Sequence, residues 1–344
     1  MTASRFLDAA RRLPVDVTPV WLMRQAGRSL PEYRKVRERW TLAEIVAQPE
    51  LCAEVTLQPV QRLGVDAAVM FADIMLPLRG MGVEFELVEN VGPVMAYPIA
   101  SAADVERLRV PNGEEAAPQV IAAVGHVVAE SPVPVIGFCG APFTLASYLI
   151  EGRPSRDFEK VKTFMYTEPQ AFDLLLDKLA RTMTGYLKAQ VMAGVQAVQL
   201  FDSWVGALAL EDYESRVVHH TRAIFAALAP LGVPRIHFGT NAAGLLEAIA
   251  QSGPDIVSLD WRVPLDRGWQ QVGYQLGIQG NLDPAVLLGP ADLVRERSQD
   301  VLRRAGGRAG HIFNLGHGVL PDTSVDNLQV LVETVHSWVP ARVA

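Results

Sequence analysis

Residues 131–150 read Ser-Pro-Val-Pro-Val-Ile-Gly-Phe-Cys-Gly-Ala-Pro-Phe-Thr-Leu-Ala-Ser-Tyr-Leu-Ile, a stretch of twenty residues without a charge. Its length matches a membrane-spanning helix, which needs about 20 mostly apolar residues. Prolines and glycines interrupt the stretch, however, and these residues break or weaken the interior of a helix. They stand at Pro132, Pro134, Gly137, Gly140 and Pro142. We therefore predict a buried strand over residues 133–138, followed by a loop, and no membrane span.

Six other short runs of β-branched or apolar residues alternate with long segments of helical pattern. The runs cover residues 66–71, 196–201, 234–238, 255–259, 277–280 and 311–315. Such alternation is typical of βα units around a parallel sheet. We predict a single-domain, somewhat distorted (β/α)8 barrel of the TIM type over residues 1–344. Residues 17–22 or a poorly marked segment would supply the eighth strand, and the pattern alone also allows an open doubly wound sheet.

Two segments are predicted to lie outside the barrel order. Residues 1–15 form a short N-terminal extension. Residues 79–98 form a hairpin-like excursion, because apolar and acidic residues alternate over 83–87 and a turn follows at 90–93.

Local signals predict where several helices begin or end. Thr41 and Glu44 have the form of a capping box, and Ser101 is a candidate N-cap. Pro59 lies inside a helix predicted to start near Pro49, and we expect it to kink or end that helix.

Composition limits the class of protein. The 344 residues carry a formal net charge of -7, whereas a nucleic-acid-binding protein normally needs a basic face. The two cysteines, Cys52 and Cys139, are too few for a disulfide framework or a cysteine-based zinc site, which fits a reducing cytosol. Residues 1–20 lack the apolar run of a secretory signal. We expect a cytoplasmic protein without nucleic-acid or membrane partners.

A local cationic cluster contrasts with the negative net charge. The stretch Met23-Arg24-Gln25-Ala26-Gly27-Arg28 places two guanidinium groups around a glycine, after an apolar run. Arginine pairs with carboxylates or phosphates through two parallel hydrogen bonds, so the stretch predicts an anion clamp formed by Arg24 and Arg28. The alternative is an exposed, arginine-rich helix start.

Polar residues follow several of the predicted strands, at the barrel face where active sites lie. Asp73 is the strongest candidate, because apolar residues surround it on both sides and a buried carboxylate must be matched by a cation or by hydrogen-bond donors. Ser203 and His317 follow two further strands. Asp202, Asp260 and Asn281 also stand at strand ends, where helix capping is the favoured interpretation.

Five motifs resemble one known family. They are Pro19-Val20-Trp21-Leu22-Met23-Arg24-Gln25-Ala26-Gly27-Arg28-Ser29-Leu30-Pro31-Glu32-Tyr33, Phe71-Ala72-Asp73-Ile74, Gly137-Phe138-Cys139-Gly140-Ala141-Pro142-Phe143-Thr144-Leu145, Leu200-Phe201-Asp202-Ser203-Trp204 and Asn314-Leu315-Gly316-His317-Gly318. Together they resemble the signatures of the uroporphyrinogen decarboxylase family over residues 15–320. The resemblance implies a homodimeric enzyme of porphyrin and haem biosynthesis. It would convert the four acetate side chains of uroporphyrinogen III to methyl groups without a cofactor, giving coproporphyrinogen III.

The resemblance also implies roles for individual residues. Asp73 would bind the pyrrole N–H groups at the centre of the macrocycle, and Arg24 and Arg28 would hold carboxylates and take part in catalysis. Tyr148, Ser203 and His317 would contact substrate, as would main-chain atoms of Gln25, Ala26 and Gly27. Without the resemblance, Tyr148 is more simply a core aromatic residue on a helix, and His317 is equally a loop histidine.

Three other functions are weighed against this one. A zinc-dependent, corrinoid-linked methyltransferase would need a His-x-Cys pattern, but the corresponding residues here are His237-Phe238-Gly239. A Schiff-base aldolase would need a lysine at a strand end, and the lysines lie in helical or charged segments instead. A haem carrier would need an axial ligand, for which His317 is the candidate.

No metal site is predicted from the sequence. Apart from the adjacent His219 and His220, the other histidines lack the spacing of metal ligands, and this pair is interpreted as part of a surface helix.

Overall fold

The computed structural model describes residues 4–88 and 91–339. The first three residues of the predicted N-terminal extension and residue 90 of the predicted turn therefore lie outside the described residues.

The described residues contain nine strands. They are β1 (Ala68–Val69), β2 (Phe85–Val88), β3 (Gly92–Met95), β4 (Val135–Gly140), β5 (Ala197–Asp202), β6 (Arg235–Gly239), β7 (Ile256–Ser258), β8 (Gly277–Gln279) and β9 (His311–Ile312). Seven of them form one parallel sheet in the order β1-β4-β5-β6-β7-β8-β9. Each predicted apolar run overlaps one strand of this sheet, so the alternating pattern is confirmed as that of a βα barrel.

The sheet closes through the segment around Val20. Val20 forms a parallel bridge with Phe313, just beyond β9, and the Val20 carbonyl accepts a hydrogen bond of 2.8 Å from the N–H of Asp66, just before β1. This segment therefore occupies the eighth place of the ring, as predicted for residues 17–22. It is a bridge rather than a full strand.

Helices form the outer layer. They are α1 (Arg5–Ala10), α2 (Pro31–Arg37), α3 (Leu42–Val46), α4 (Pro49–Leu63), α5 (Ala102–Arg107), α6 (Gly113–Ala116), α7 (Pro118–Glu130), α8 (Pro142–Glu151), α9 (Glu159–Thr167), α10 (Pro169–Met192), α11 (Leu210–Asp212), α12 (Val218–Leu228), α13 (Leu246–Gln251), α14 (Leu265–Val272), α15 (Ala291–Ala305) and α16 (Val325–His336). The capping box at Thr41 and the N-cap at Ser101 are confirmed, and Ser101 forms a capping box with Asp104. No helix among the described residues is long and apolar enough to cross a membrane.

One prediction about prolines is wrong, and another, that Pro59 kinks or ends its helix, loses one of its two outcomes. The segment after β4 is a helix, α8, and not a loop, because Pro142 occupies the first turn, where the missing N–H costs nothing. Helix α4 continues past Pro59 to Leu63, so the proline does not end it. Tertiary packing maintains this helix, since Pro59 is buried within the core.

Strands β2 and β3 form an antiparallel pair outside the barrel sheet. Phe85 lies opposite Met95 in this pair, and both are buried. The N–H of Met95 donates to the carbonyl of Gly152 at the end of α8, which holds the pair against that helix.

Candidate active site

The carboxyl ends of the barrel strands bring the predicted site residues to one face, which we call the mouth. Asp73 follows β1, Tyr148 lies on α8 after β4, and Ser203 follows β5. Arg24 follows the closing segment around Val20, and His317 follows β9. Parallel strands end at the same edge of a barrel, so residues distant in sequence meet there.

Asp73 forms few polar contacts with the rest of the described chain. Its Oδ1 accepts a hydrogen bond of 2.8 Å from the N–H of Met75, and it forms no ion pair with another described residue. Burial raises the pKa of this carboxyl, while the Met75 N–H and the charge of Arg24 oppose the shift. The carboxylate is therefore costly in the free protein and would be stabilised by added hydrogen-bond donors.

Arg24 projects into the mouth from a strained backbone position. Its φ of 59° lies in the left-handed region, which is unusual for a residue with a side chain. The arginine stem crosses Gly318 so closely that a Cβ at that glycine would lie 2.4 Å from Cδ of Arg24. Glycine is thus required at position 318 for Arg24 to reach the mouth.

The other residues of the clamp differ in exposure, since Gln25 is buried and Arg28 is exposed. The Gln25 side chain is buried, where it accepts from the N–H of Leu22 and donates to the carbonyl of Ala67. The N–H of Gln25 also donates to Leu22, so this N–H is already occupied. In the described part of the chain, no hydrogen bond uses the N–H of Ala26 or Gly27. Arg28 is exposed at the rim.

Tyr148 lies beside Asp73 and Arg24. Burial raises the pKa of Tyr148 to about 12, with Trp204 and Arg24 opposing the rise and Asp73 adding to it. Its ring packs edge-on against Trp204, at a centroid distance of 5.8 Å. The hydroxyl therefore remains protonated at neutral pH and can donate a hydrogen bond.

His317 is a neutral donor at the mouth. Burial, together with the charge of Arg24, lowers its pKa to about 4. Its Nδ1 accepts a hydrogen bond of 2.7 Å from the N–H of Gly318, so the neutral ring carries its proton on Nε2. That N–H can donate to an anionic group in the mouth.

A buried hydrogen-bond chain positions the residues after β5. Asp202 is fully buried and accepts a hydrogen bond of 2.7 Å from the hydroxyl of Thr144. The oxygen of that hydroxyl in turn accepts a hydrogen bond of 3.1 Å from the N–H of Trp204. The helix-capping interpretation of Asp202 is therefore wrong. Its carboxylate binds Thr144 of α8, and through Thr144 it is linked to the turn at Ser203 and Trp204. Thr144 was missed by sequence reasoning, although it lies within the 137–145 motif.

A third cation, Arg262, was also missed. Asp260 accepts hydrogen bonds from both the N–H and the guanidinium of Arg262, at 2.9 and 2.7 Å. The guanidinium lies 4.0 Å above the Trp261 ring, and the charge contributes to lowering the pKa of His317. In the sequence, Arg262 could have been noticed because Trp261 and Arg262 directly follow Asp260 at a strand end.

The capping interpretation is also wrong for Asp260 and Asn281. The Asp260 carboxylate accepts a hydrogen bond from the N–H of Arg262 within a turn. The Asn281 amide donates hydrogen bonds to the carbonyls of Asp260 and Val263. Both residues join loops at the mouth and cap no helix.

The residues that other functions would use lie elsewhere. His237 is fully buried, with Nδ1 3.4 Å from the Ser252 hydroxyl and Nε2 3.7 Å from Asp202. Lys178 donates to three carbonyls at the end of α5. Neither side chain is presented to the mouth as a zinc ligand or an imine-forming amine would be.

Comparisons with known proteins agree on one family. The family model described as "Uroporphyrinogen decarboxylase (URO-D)" matches residues 1–338. A uroporphyrinogen decarboxylase from Sorangium cellulosum is 52% identical over 335 residues, which cover 97% of this chain and 96% of that protein. One from Carboxydothermus hydrogenoformans is 51% identical, covering 96% of this chain and 95% of that protein.

Solved structures show the same architecture at lower identity. A methyltransferase from Methanosarcina mazei superposes with a TM-score of 0.78 at 22% identity, covering 96% of each chain. A B12-independent methionine synthase from a Shewanella species gives a TM-score of 0.58 at 12% identity, covering 87% of this chain and 89% of that one. At this identity the likeness concerns the fold alone.

Proposed function

This chain belongs to the uroporphyrinogen decarboxylase family, and we propose that the residues at its mouth carry out that family's reaction. The chain is a decarboxylase that converts uroporphyrinogen III to coproporphyrinogen III in haem biosynthesis. The observation that supports the assignment of residues is the Asp73 carboxylate, whose charge is disfavoured by burial and which has no ion pair among the described residues.

The chemistry requires an electron sink. Loss of CO2 from an acetate side chain leaves an electron pair on the methylene carbon, and a pyrrole protonated at a ring carbon can accept that pair. The intermediate before CO2 loss is cationic. A second proton then converts the exocyclic methylene to a methyl group, and the ring carbon releases the first proton, which restores the neutral pyrrole. Since the ring itself is the sink, we propose that no cofactor takes part.

Asp73 acts on this cationic intermediate. Its carboxylate accepts hydrogen bonds from the pyrrole N–H groups and faces the developing positive charge in a poorly solvated site. A fixed anion in such surroundings stabilises the charge without reorganising. The raised pKa of Asp73 supports this role, because incoming N–H donors relieve the cost of its burial.

The peripheral groups of the substrate are met by cations and neutral donors. Arg24 and Arg28 hold carboxylates at the rim and so orient the macrocycle over Asp73. His317 donates its Nε2 proton to a propionate, and Ser203 donates to another side chain. Tyr148 donates its hydroxyl near Asp73. We propose that Arg24 or Arg28 also takes part in proton transfer to the ring, although arginine holds its proton tightly and is a poor acid.

The experiment for the activity is an anaerobic incubation of the purified chain with uroporphyrinogen III, without added metal or cofactor. Product separation is expected to show hepta-, hexa- and pentacarboxylate intermediates followed by coproporphyrinogen III. Failure to form coproporphyrinogen under these conditions contradicts the proposal, whereas dependence on an added metal or organic cofactor contradicts the cofactor-free mechanism.

Two further proposals concern assembly and location. We propose that the chain is a homodimer, which light scattering after size exclusion would show as twice the 37.5 kDa chain mass. A cytoplasmic location is supported by Cys52 and Cys139, which are both free and buried. A monomeric mass at assay concentration would contradict the dimer.

A further inference from the structure

Two histidines and an aspartate form a cluster outside the barrel, where α12 packs on α10. His219 and His220 lie at the start of α12, and Asp173 lies near the start of α10. Both imidazoles direct Nε2 at the same oxygen, at 3.2 and 3.0 Å from Oδ1 of Asp173. Their ring centroids are 4.0 Å apart.

The local backbone supports this convergence. Consecutive helical residues point about 100° apart, so two of them meet one group only if it lies between them. Asp173 provides that group from the neighbouring helix. The turn Tyr213–Val217, which runs directly into α12, is a π-helix, a form found frequently at functional sites.

Ordinary surface pairing explains the cluster poorly. The side chains of Asp173 and His219 are 62% and 48% exposed, and exposed ion pairs contribute little stability. Two protonated imidazoles in contact would also repel each other. The His220 side chain is only 8% exposed, so it is held in place beside Asp173 by the packing of α12 on α10.

The distances fit a coordinated cation. Tetrahedral zinc, with bonds of about 2.0–2.1 Å to nitrogen and oxygen, places its ligand atoms about 3.3 Å apart. The two histidine-to-aspartate separations are close to that value, and all three ligand atoms lie within 4.8 Å of one another. Two imidazole nitrogens and one carboxylate oxygen suit zinc, whereas magnesium and calcium prefer oxygen ligands alone.

We propose that Asp173, His219 and His220 form a binding site for a divalent cation of the zinc class, which joins α10 to α12. The site lies outside the mouth and goes beyond the proposed function. It replaces the expectation of no metal site, which treated both histidines as surface residues.

The site keeps an open position. Three protein ligands leave the fourth place of a tetrahedral zinc ion to water or to an added ligand. A surface cleft of about 510 Å³ lies beside Asp173 and is also lined by Gln170, Ser215 and Arg216. Because the side chains of Asp173 and His219 are also exposed, an added ligand can reach the ion from solvent.

The test is a calorimetric titration of the full, untagged chain with zinc chloride. One zinc ion per chain is expected, and Asp173→Asn and His219→Ala each weaken binding at least tenfold. His126→Ala is the matched control, because this half-exposed histidine pairs at 3.9 Å with Glu50 alone and should leave zinc affinity unchanged. The kcat of all three variants should equal that of the parent chain.

A second readout separates binding from a purely structural role. Cobalt chloride added to the parent chain should give the intense visible absorption of tetrahedral cobalt, which Asp173→Asn should abolish. Equal zinc affinity in the parent chain, Asp173→Asn and His219→Ala overturns the proposal, as does the absence of zinc uptake. Thermal melting of each variant without metal confirms that the two exposed substitutions leave the fold intact.

Discussion

Asp66 and Asp73 flank the same short strand, β1, and differ completely in their surroundings. Asp66, at the amino end, forms an ion pair of 3.1 Å with Arg5 and lies 2.8 Å from Nε2 of His336. It also accepts a hydrogen bond of 2.7 Å from the N–H of Val20. Asp73, at the carboxyl end, accepts from the Met75 N–H and has no ion pair among the described residues. A carboxylate whose partners are all supplied by the chain stabilises the fold. A carboxylate without such partners is one that the hydrogen-bond donors of a ligand would stabilise.

The same contrast extends around the barrel. At the base, Arg235 and Asp255 form a bidentate pair, with both nitrogen–oxygen distances at 2.8 Å, where β6 and β7 begin. At the mouth, Arg24 forms no ion pair with another described residue, although its charge influences Asp73, Tyr148 and His317. Asp66, Arg235 and Asp255 at the base are paired within the chain, whereas Asp73 and Arg24 at the mouth form no ion pair with another described residue.

The largest effect is expected for Asp73→Asn. This change removes the anion that faces the cationic intermediate, so kcat should fall roughly 10²- to 10³-fold, the loss typical of a removed electrostatic stabiliser. The melting temperature should stay the same or rise, because a costly buried charge disappears. Anaerobic turnover and thermal melting measure the two quantities. Near-normal turnover would contradict the role of Asp73.

The identical substitution at the base, Asp66→Asn, should have the opposite profile. It breaks contacts with α1, the Val20 segment and α16, so the free energy of unfolding should fall by about 2 kcal/mol. The kcat of the folded enzyme should change less than twofold. Denaturant unfolding and turnover at a temperature well below melting test this. A large loss of kcat with unchanged stability would contradict the structural role of Asp66 and its difference from Asp73.

Arg28→Ala should mainly affect binding. Loss of one bidentate contact to a carboxylate is expected to raise KM for uroporphyrinogen about tenfold. The rise should be smaller for substrates with fewer carboxylates, and kcat should change little. Arg62→Ala is the matched control, since Arg62 lies near the end of α4 with Glu32 3.9 Å away. An unchanged KM across the substrate series would contradict the clamp.

The smallest effect concerns pH and His317. Its pKa of about 4 in the folded chain lies below the ordinary value of about 6.5, so the unfolded chain binds more protons between these values. Stability should therefore fall as pH decreases from about 6.5 to about 4. In His317→Gln the loss of unfolding free energy over this pH range should be smaller by about 1 kcal/mol. This value allows for solvent screening of a partly exposed side chain. Urea unfolding at both ends of the window measures it, and an unaltered slope would contradict the neutral, partly buried histidine.

The barrel was predictable because it depends on a repeated pattern. Seven buried runs, each bounded by turn residues, locate the strands within a few residues, and local capping rules locate α3 and α5. The helix after β4 was not predicted, because Pro142 breaks a helix interior but begins a helix equally well. Composition alone does not distinguish these two positions.

The site was predictable only where a residue's chemistry conflicts with its neighbours in sequence. Asp73 stands out because it is a carboxylate between apolar runs. Thr144 and Asp202 gave no such signal, because the hydrogen bonds of Thr144 join residues 58 and 60 positions apart. Arg262 follows a strand-end aspartate, but its role depends on a turn that the fold creates. His219 and His220 acquire a possible function only when α10 brings Asp173 to them.

The most direct measurement is the carboxyl titration of Asp73 by ¹³C NMR in the free chain and with coproporphyrinogen bound, with Asp73→Asn used to assign the signal. In the free chain the midpoint should lie above the ordinary aspartate pKa of about 3.9, because burial disfavours the charge. Bound product should lower the midpoint, because pyrrole N–H donors stabilise the carboxylate. A midpoint at or below about 3.9 that does not respond to product would contradict the claim that the mouth withholds a partner from Asp73 for the substrate.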